Sequence, residues 1–174
     1  MTALIAYFFS ALLISFICSL LESVLLSVSH AHIAVLVKED SKRGHIMASL
    51  KENINRPLSA ILTINTIANT VGAAGVGAQT YSIFGSSWVA VSSFTLTFSI
   101  LFFSEIIPKT LGANYTKSLV GFTAYMTRAL IFLVFPMVVV GEKISRFLKR
   151  GEKDKSKASR EELIAMAELS EDEG

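Results

Sequence analysis

One of the long apolar runs in this sequence ends with Phe102-Phe103-Ser104-Glu105-Ile106-Ile107-Pro108-Lys109. Proline has no N–H group and its ring presses on the carbonyl four residues earlier, so in a helix Pro108 would leave the Ser104 carbonyl without a donor. Glu105 lies beside that carbonyl. Inside a membrane, an ionisable side chain next to an unpaired backbone oxygen is a candidate functional site, because both groups need a partner there. A bound cation would satisfy both.

The composition is that of a membrane protein. The 174 residues are 52% hydrophobic and 17% charged, and the charged residues cluster while long stretches carry none. A formal charge of +2 is too small to indicate nucleic-acid binding, and the basic residues fall at the ends of apolar runs, where lipid headgroups can reach them. There is no paired-histidine zinc motif, no G-x-S-x-G and no phosphate loop, so we predict that the chain is not an enzyme.

Three apolar runs are long enough to span a bilayer as helices, at about residues 3–30, 58–81 and 87–108. We expect the surplus of the first run to project into the cytoplasm, and Gly44 to break the polar loop at residues 38–56. That loop is net basic, whereas the link around Gly85 carries no charge. Because positive residues accumulate on the cytoplasmic side of spans, we predict a multi-pass plasma-membrane protein with its N-terminus outside and its C-terminus in the cytoplasm.

A fourth apolar run at residues 119–140 has basic segments on both sides, contains Arg128 and is broken by Pro136. We therefore predict short cytoplasmic juxtamembrane helices or a re-entrant pair, over about residues 118–149, in preference to a fourth crossing, which stays open. Residues 151–158 are a charged linker, and a capping box at Ser159 and Glu162 opens an acidic helix at residues 159–174. The predicted fold class is an all-α membrane protein, with residues 1–150 as its transmembrane domain.

Each of the three spans carries polar side chains within its apolar run. They are Ser19, Ser23 and Ser27 with Glu22 beside them on the first span, Asn65 and Asn69 on the second, and Ser104 and Glu105 on the third. Repeats of four residues place the serines on one helical face, and likewise the asparagines. Hydroxyl, amide and carboxylate oxygens suit Mg²⁺, Na⁺ or Ca²⁺ and suit Zn²⁺ or copper poorly. The pattern predicts a cation site in which Mg²⁺ would keep several of its waters.

Each of these groups also has a purely structural explanation. Serines at four-residue spacing let helices approach closely, and an intramembrane Asn pair can hydrogen-bond between helices. Glu105 can pair with Lys109, one turn further along the helix. His30 and His32 are two residues apart and face different ways, so we predict no joint metal site there. The cation site is favoured because all three spans carry such groups.

Three segments resemble the transmembrane domain of the cyclin M and CorC magnesium transporters. They are Ser19-Leu20-Leu21-Glu22-Ser23-Val24-Leu25-Leu26-Ser27, Leu62-Thr63-Ile64-Asn65-Thr66-Ile67-Ala68-Asn69-Thr70 and Ser104-Glu105-Ile106-Ile107-Pro108-Lys109-Thr110-Leu111-Gly112. The similarity covers about residues 1–172, and the string from Glu105 to Lys109 is its most specific part. The resemblance implies three spans with a belt of juxtamembrane helices, a homodimer, and an acidic helix followed by a cytosolic CBS-pair module that binds ATP. We expect this chain to end just before that module.

The resemblance further implies Na⁺-coupled export of Mg²⁺ across the lipid bilayer, with Mg²⁺ as substrate and Na⁺ as coupling ion. The implied Mg²⁺ ligands are Ser23, Ser27, Asn65, Asn69, Ser104 and Glu105, with Ser19 and Glu22 nearby as supporting groups or Na⁺ ligands and Pro108 as the kink. The alternative is a non-transporting membrane Mg²⁺ sensor or scaffold that signals through the cytosolic module.

Overall fold

The computed structural model describes residues 1–136, which form helices with no strand among them. Three of the described helices are long and apolar enough to cross a membrane. They are α1 (Thr2–Ser27), α4 (Asn55–Phe84) and a third span (Ser86–Asn114). The prediction of an all-α membrane protein with three spans is therefore confirmed. The predicted linker and acidic helix, and the juxtamembrane segment after residue 136, lie outside the described residues.

The first span ends earlier than its hydropathy indicates. After Ser27 the backbone of Val28 is extended, and the Ser29 hydroxyl accepts a hydrogen bond of 3.2 Å from the His32 N–H. Ser29 thereby caps a separate helix, α2 (His30–Lys38), because a serine at this position satisfies an otherwise unpaired backbone donor. The first helix, predicted to span about residues 3–30, therefore ends at Ser27, and the remainder of the apolar run forms a second helix.

The loop predicted between the first two spans is also helical. Helix α3 (Lys42–Glu52) includes Gly44, so the predicted break at this glycine was wrong. Gly44 is buried, and a Cβ at this position would lie 2.7 Å from the Cβ of Leu36. The glycine is there because α3 approaches α2 too closely for any side chain.

Helix α4 has 30 residues and is therefore about 45 Å long, more than the hydrocarbon thickness of a bilayer. Pro57 lies in its first turn, where the missing N–H has no partner to lose. The helix ends at Gly85, whose φ of 84° is a left-handed conformation that favours glycine. Gly72 packs directly on Ala11 of α1, which brings the two helices into close contact.

The third span is built from four segments. A 3₁₀ turn (Ser86–Trp88) leads into α5 (Val89–Ser99), a π-helical segment (Ile100–Ile106) and α6 (Ile107–Asn114). Two hydrogen bonds join this span to α1. The Ser104 hydroxyl donates to the Leu12 carbonyl at 2.9 Å, and the Ser23 hydroxyl donates to the Lys109 carbonyl at 2.6 Å.

The hydrophobic core lies at the end of the bundle where α1 finishes and α4 begins, which we call the basic end because Lys42, Arg43, Lys51, Arg56 and Lys117 are found there. Helix α7 (Thr116–Leu133) packs there with α2 and α3 around α1. The buried members are Cys18, Leu21, Leu25, Val28, Ile33, Leu36, Met47, Leu50, Ile61, Val120 and Ala124. Helix α7 is not among the described helices that are long and apolar enough to span.

Candidate functional site

The stretch around Glu105 is π-helical, with hydrogen bonds from each N–H to the carbonyl five residues earlier. The last such bond runs from the Ile107 N–H to the Phe102 carbonyl. Residue 108 would be the next donor, but proline has none. In the π register it is the Phe103 carbonyl that loses this donor, and in the α register it is the Ser104 carbonyl. The change of register at Pro108 thus places two candidate acceptors beside Glu105, where the sequence predicted one.

The Ser104 side chain has a structural contact of its own. It is 1% exposed and its hydroxyl proton is used in the bond to the Leu12 carbonyl. This bond holds the π-helical segment against α1. Donating the proton leaves the hydroxyl oxygen its lone pairs, so both the hydroxyl and the backbone carbonyl of Ser104 are candidates for binding an ion.

The Lys109 amine lies 3.7 Å from a carboxylate oxygen of Glu22. Glu105 is half-buried and has no ion pair within residues 1–136. The alternative in which Glu105 merely pairs with Lys109 is therefore not the arrangement found. Glu22, predicted as a nearby supporting group or Na⁺ ligand, instead forms an ion pair with Lys109.

Asn65 and Asn69 carry the most informative atoms of the site. The Oδ1 atom of each is buried and has no hydrogen-bond partner in the described part of the chain. A buried amide oxygen without a donor costs roughly 1–3 kcal/mol, so native proteins rarely leave one unpaired. Hydrogen bonding between helices does not occupy these two oxygens, which are therefore available to a cation or to water.

Contacts between the spans show how far along the bundle the two asparagines and Glu105 lie. Gly72 meets Ala11, and Asn69 lies one turn from Gly72, about 4.5 Å nearer the basic end. The bond from Ser104 to the Leu12 carbonyl puts the π-helical segment level with the same turns of α1. Asn69 and Glu105 therefore lie at similar depth, with Asn65 about 6 Å nearer the basic end.

The serine face of α1 extends from the depth of Glu105 towards the basic end. Ser15, which the sequence analysis missed, begins the series one turn before Ser19, and its fully buried hydroxyl has no partner in the described residues. Ser23 bonds to the Lys109 carbonyl, and exposed Ser27 lines a cavity of 510 Å³ at the basic end. Ser15 and Ser27 are about 18 Å apart along the helix, so one ion cannot touch the whole series. Four-residue spacing was the signal that would have found Ser15.

The predicted ligands thus divide into a deep and a shallow group. The deep group is Asn65, Asn69, Ser104 and Glu105, with Ser15 and Ser19 on the facing helix. The shallow group is Ser23 and Ser27. No cluster of three or more His, Cys, Asp or Glu side chains that could hold a metal occurs in residues 1–136. Any ion held by the deep group would rest on neutral oxygens and a single carboxylate.

These features define a multi-pass α-helical membrane domain with unpaired polar oxygens at the depth of a π-helical segment. The chain belongs to the family described as the cyclin M transmembrane N-terminal domain, whose model matches residues 5–174. The resemblance inferred from the three polar segments is therefore confirmed.

Curated relatives agree with this membership. The chain is 32% identical over all its 174 residues to the UPF0053 protein sll1254 of Synechocystis, covering 50% of that protein. It is 29% identical over 117 residues to a UPF0053 protein of Haemophilus influenzae, matching 67% of this chain and 28% of the relative. The UPF0053 inner membrane protein YfjD of Escherichia coli is 24% identical over 129 residues, or 74% of this chain and 30% of YfjD. The chain spans half or less of the length of these relatives.

Proposed function

We propose that this chain is the membrane domain of a Na⁺-coupled Mg²⁺ exporter and that Asn65, Asn69, Ser104 and Glu105 hold the Mg²⁺ ion in transit. The observation that supports this most is the pair of buried Asn Oδ1 atoms without a hydrogen-bond partner in residues 1–136. Both lie within a turn or so of the depth of Glu105 and of the carbonyls beside Pro108. Both α4 and the π-helical segment pack on α1, and we propose that a cation beside α1 is held by oxygens from both.

The kind of oxygen favours a hard cation that stays partly hydrated. Mg²⁺ prefers oxygen ligands, loses its waters reluctantly and is commonly bound through one or two carboxylates. With Glu105 as the one carboxylate, bound Mg²⁺ would retain a net charge of +1, whereas bound Na⁺ would be neutralised. Such a site holds Mg²⁺ weakly enough to release it, and Na⁺ entering the same cavity would lower the cost of resetting the site.

A route between this site and the basic end follows the serine face of α1. Ser19 and Ser23 lead from the depth of Asn65 towards the cavity that Ser27 lines. We place this cavity on the cytoplasmic side, following the charge distribution of the loops. The π-helical segment and Pro108 are where the third span would bend between inward- and outward-open states, because helices bend at π-bulges and prolines.

The variant Asn69→Leu tests the site and the function together. Without Mg²⁺ it should be at least as stable as the wild type, because an unpaired buried oxygen is removed. Saturating Mg²⁺ should stabilise the wild type, by about 2.7 kcal/mol at 100 times the dissociation constant, and leave the variant unchanged. Thermal unfolding in EDTA and in Mg²⁺ measures both effects, and flux in proteoliposomes with a Na⁺ gradient measures transport.

Asn55→Leu is the matched control, since Asn55 is exposed at the start of the same helix. It should keep both the Mg²⁺ stabilisation and the flux. Asn69→Leu protein that is still stabilised by Mg²⁺ and still transports it would disprove the site. Stabilisation of the wild type without any flux would favour a non-transporting sensor or scaffold. The homodimer and the CBS-pair module that binds ATP stay predictions. Sizing of the chain in nanodiscs would test the homodimer, and the coding sequence downstream of residue 174 would test the module.

A further inference from the structure

A second cavity at the basic end shares no residue with the proposed ion site. It lies between α3, the start of α4 and α7, and has a volume of 830 Å³. Ligand sites typically measure about 300–1,000 Å³. Its polar lining consists of His45, Ser49, Glu52, Asn53, Arg56 and Arg128. Nothing in the proposed transport cycle uses these residues.

The charge of this cavity favours an anion. Its lining includes the Arg128 guanidinium and the Glu52 carboxylate, together with Arg56, which already has another interaction partner. The His45 imidazole lies 3.1 Å from the exposed carboxylate of Asp40. Arg128 makes no ion pair within residues 1–136. The N-terminus of α4 is also at the cavity and no side chain caps it, so the positive end of a 30-residue helix adds to the charge of Arg128.

The apolar part of the lining points to a lipid. Ile131, Phe132 and Phe135 line the same cavity, and Phe132 is 86% exposed. The Arg56 guanidinium carbon lies 5.9 Å from the centre of the Phe135 ring, so charge and apolar surface meet at one point. Arg56 directly precedes Pro57 at the start of the second span, which places the cavity at headgroup depth. A soluble anion would leave the exposed rings unused, whereas a phospholipid fits both parts.

We propose that this cavity binds an anionic phospholipid, with its phosphate at Arg128 and the N-terminus of α4 and an acyl chain along Phe132 and Phe135. Basic pockets between membrane helices on the cytoplasmic side are suited to anionic headgroups. The lipid would link α3, α4 and α7 at the edge of the membrane. This inference is independent of whether the deep site carries Mg²⁺.

Lipid titrations of the purified chain, read by native mass spectrometry, test the proposal. Dioleoylphosphatidylglycerol should bind more tightly than dioleoylphosphatidylcholine, which has the same acyl chains. Arg128→Gln should weaken phosphatidylglycerol binding about five-fold, as expected for one basic side chain near an anionic headgroup. Lys42→Gln, which removes an exposed charge at the same end but outside the cavity, should leave the binding unchanged.

Two further measurements distinguish binding of a phospholipid from binding of another anion. Phe132→Ala, which truncates an exposed ring and leaves the fold intact, should weaken phosphatidylglycerol binding without changing the charge. Inorganic phosphate at millimolar concentration should not compete. Equal binding of the two lipids, equal losses in Arg128→Gln and Lys42→Gln, or full competition by phosphate would each overturn the proposal.

Discussion

Glu105→Gln is expected to weaken Mg²⁺ binding by roughly 3 kcal/mol, or about 100-fold, and to stop Mg²⁺ flux at millimolar concentration. Glu105 is the only carboxylate of the deep group, and the glutamine keeps the shape while removing the charge. The Asn oxygens and carbonyls alone cannot compensate the desolvation of a divalent cation. Isothermal titration and flux in vesicles measure the two effects on the same preparation.

Glu22→Gln is the matched comparison for that experiment. Glu22 is the other acidic side chain within a span, but it contacts Lys109 nearer the basic end. We expect it to reduce Mg²⁺ binding far less than Glu105→Gln does. Equal losses in the two variants would mean that both carboxylates act through the general potential of the cavity, and the assignment of Glu105 as a ligand would fail.

Gly72→Ala is expected to destabilise the bundle by about 1–3 kcal/mol, because the added methyl group would overlap Ala11 of α1. Alanine has the higher helix propensity, so the same change in open space should be neutral or stabilising by up to about 1 kcal/mol. Gly77 provides that control in the same helix, since a Cβ there has nothing within 4 Å. Unfolding in detergent by heat or denaturant compares the variants.

The double variant Gly72→Ala with Ala11→Gly tests whether contact with Ala11 causes the loss of stability. Ala11→Gly removes the atom that Gly72→Ala meets, so the two changes together should be more stable than Gly72→Ala alone. Additive losses would show that the close contact of α1 and α4 is not what makes Gly72→Ala costly. This contact is also what aligns Asn69 with the π-helical segment, so Mg²⁺ binding should follow the same order as stability.

The three spans were predictable because a run of about 20 apolar residues has few alternatives in a membrane. The end of α1 was missed because hydropathy continues through Val37, although Ser29 carries the signal of a helix N-cap. Gly44 was read as a break because sequence alone does not show that Leu36 approaches it. The π-helical register was not predictable, since an apolar segment looks the same with bonds to either carbonyl.

Asn65, Asn69, Ser104 and Glu105 were predicted from their position in apolar runs, which needs no tertiary information, whereas Ser15 was missed. The contact partners of these residues could be identified only from the tertiary structure. An ion pair of Glu105 with Lys109 was the structural alternative to the ion site, but the Lys109 amine contacts Glu22 on another helix. The serine series was treated as part of one site, whereas the rise of an α-helix already separates Ser19 from Ser27 by about 12 Å. Depth within the bundle was the information that pattern alone did not supply.

The most direct test of the proposed transport is Mg²⁺ efflux from proteoliposomes loaded with Mg²⁺ and containing the wild-type chain, with Na⁺ or choline outside. We expect efflux that depends on the Na⁺ gradient and falls to the level of empty vesicles in Glu105→Gln. Efflux at the same rate in choline would contradict Na⁺ coupling. Absence of efflux from wild-type protein that still binds Mg²⁺ would contradict transport itself.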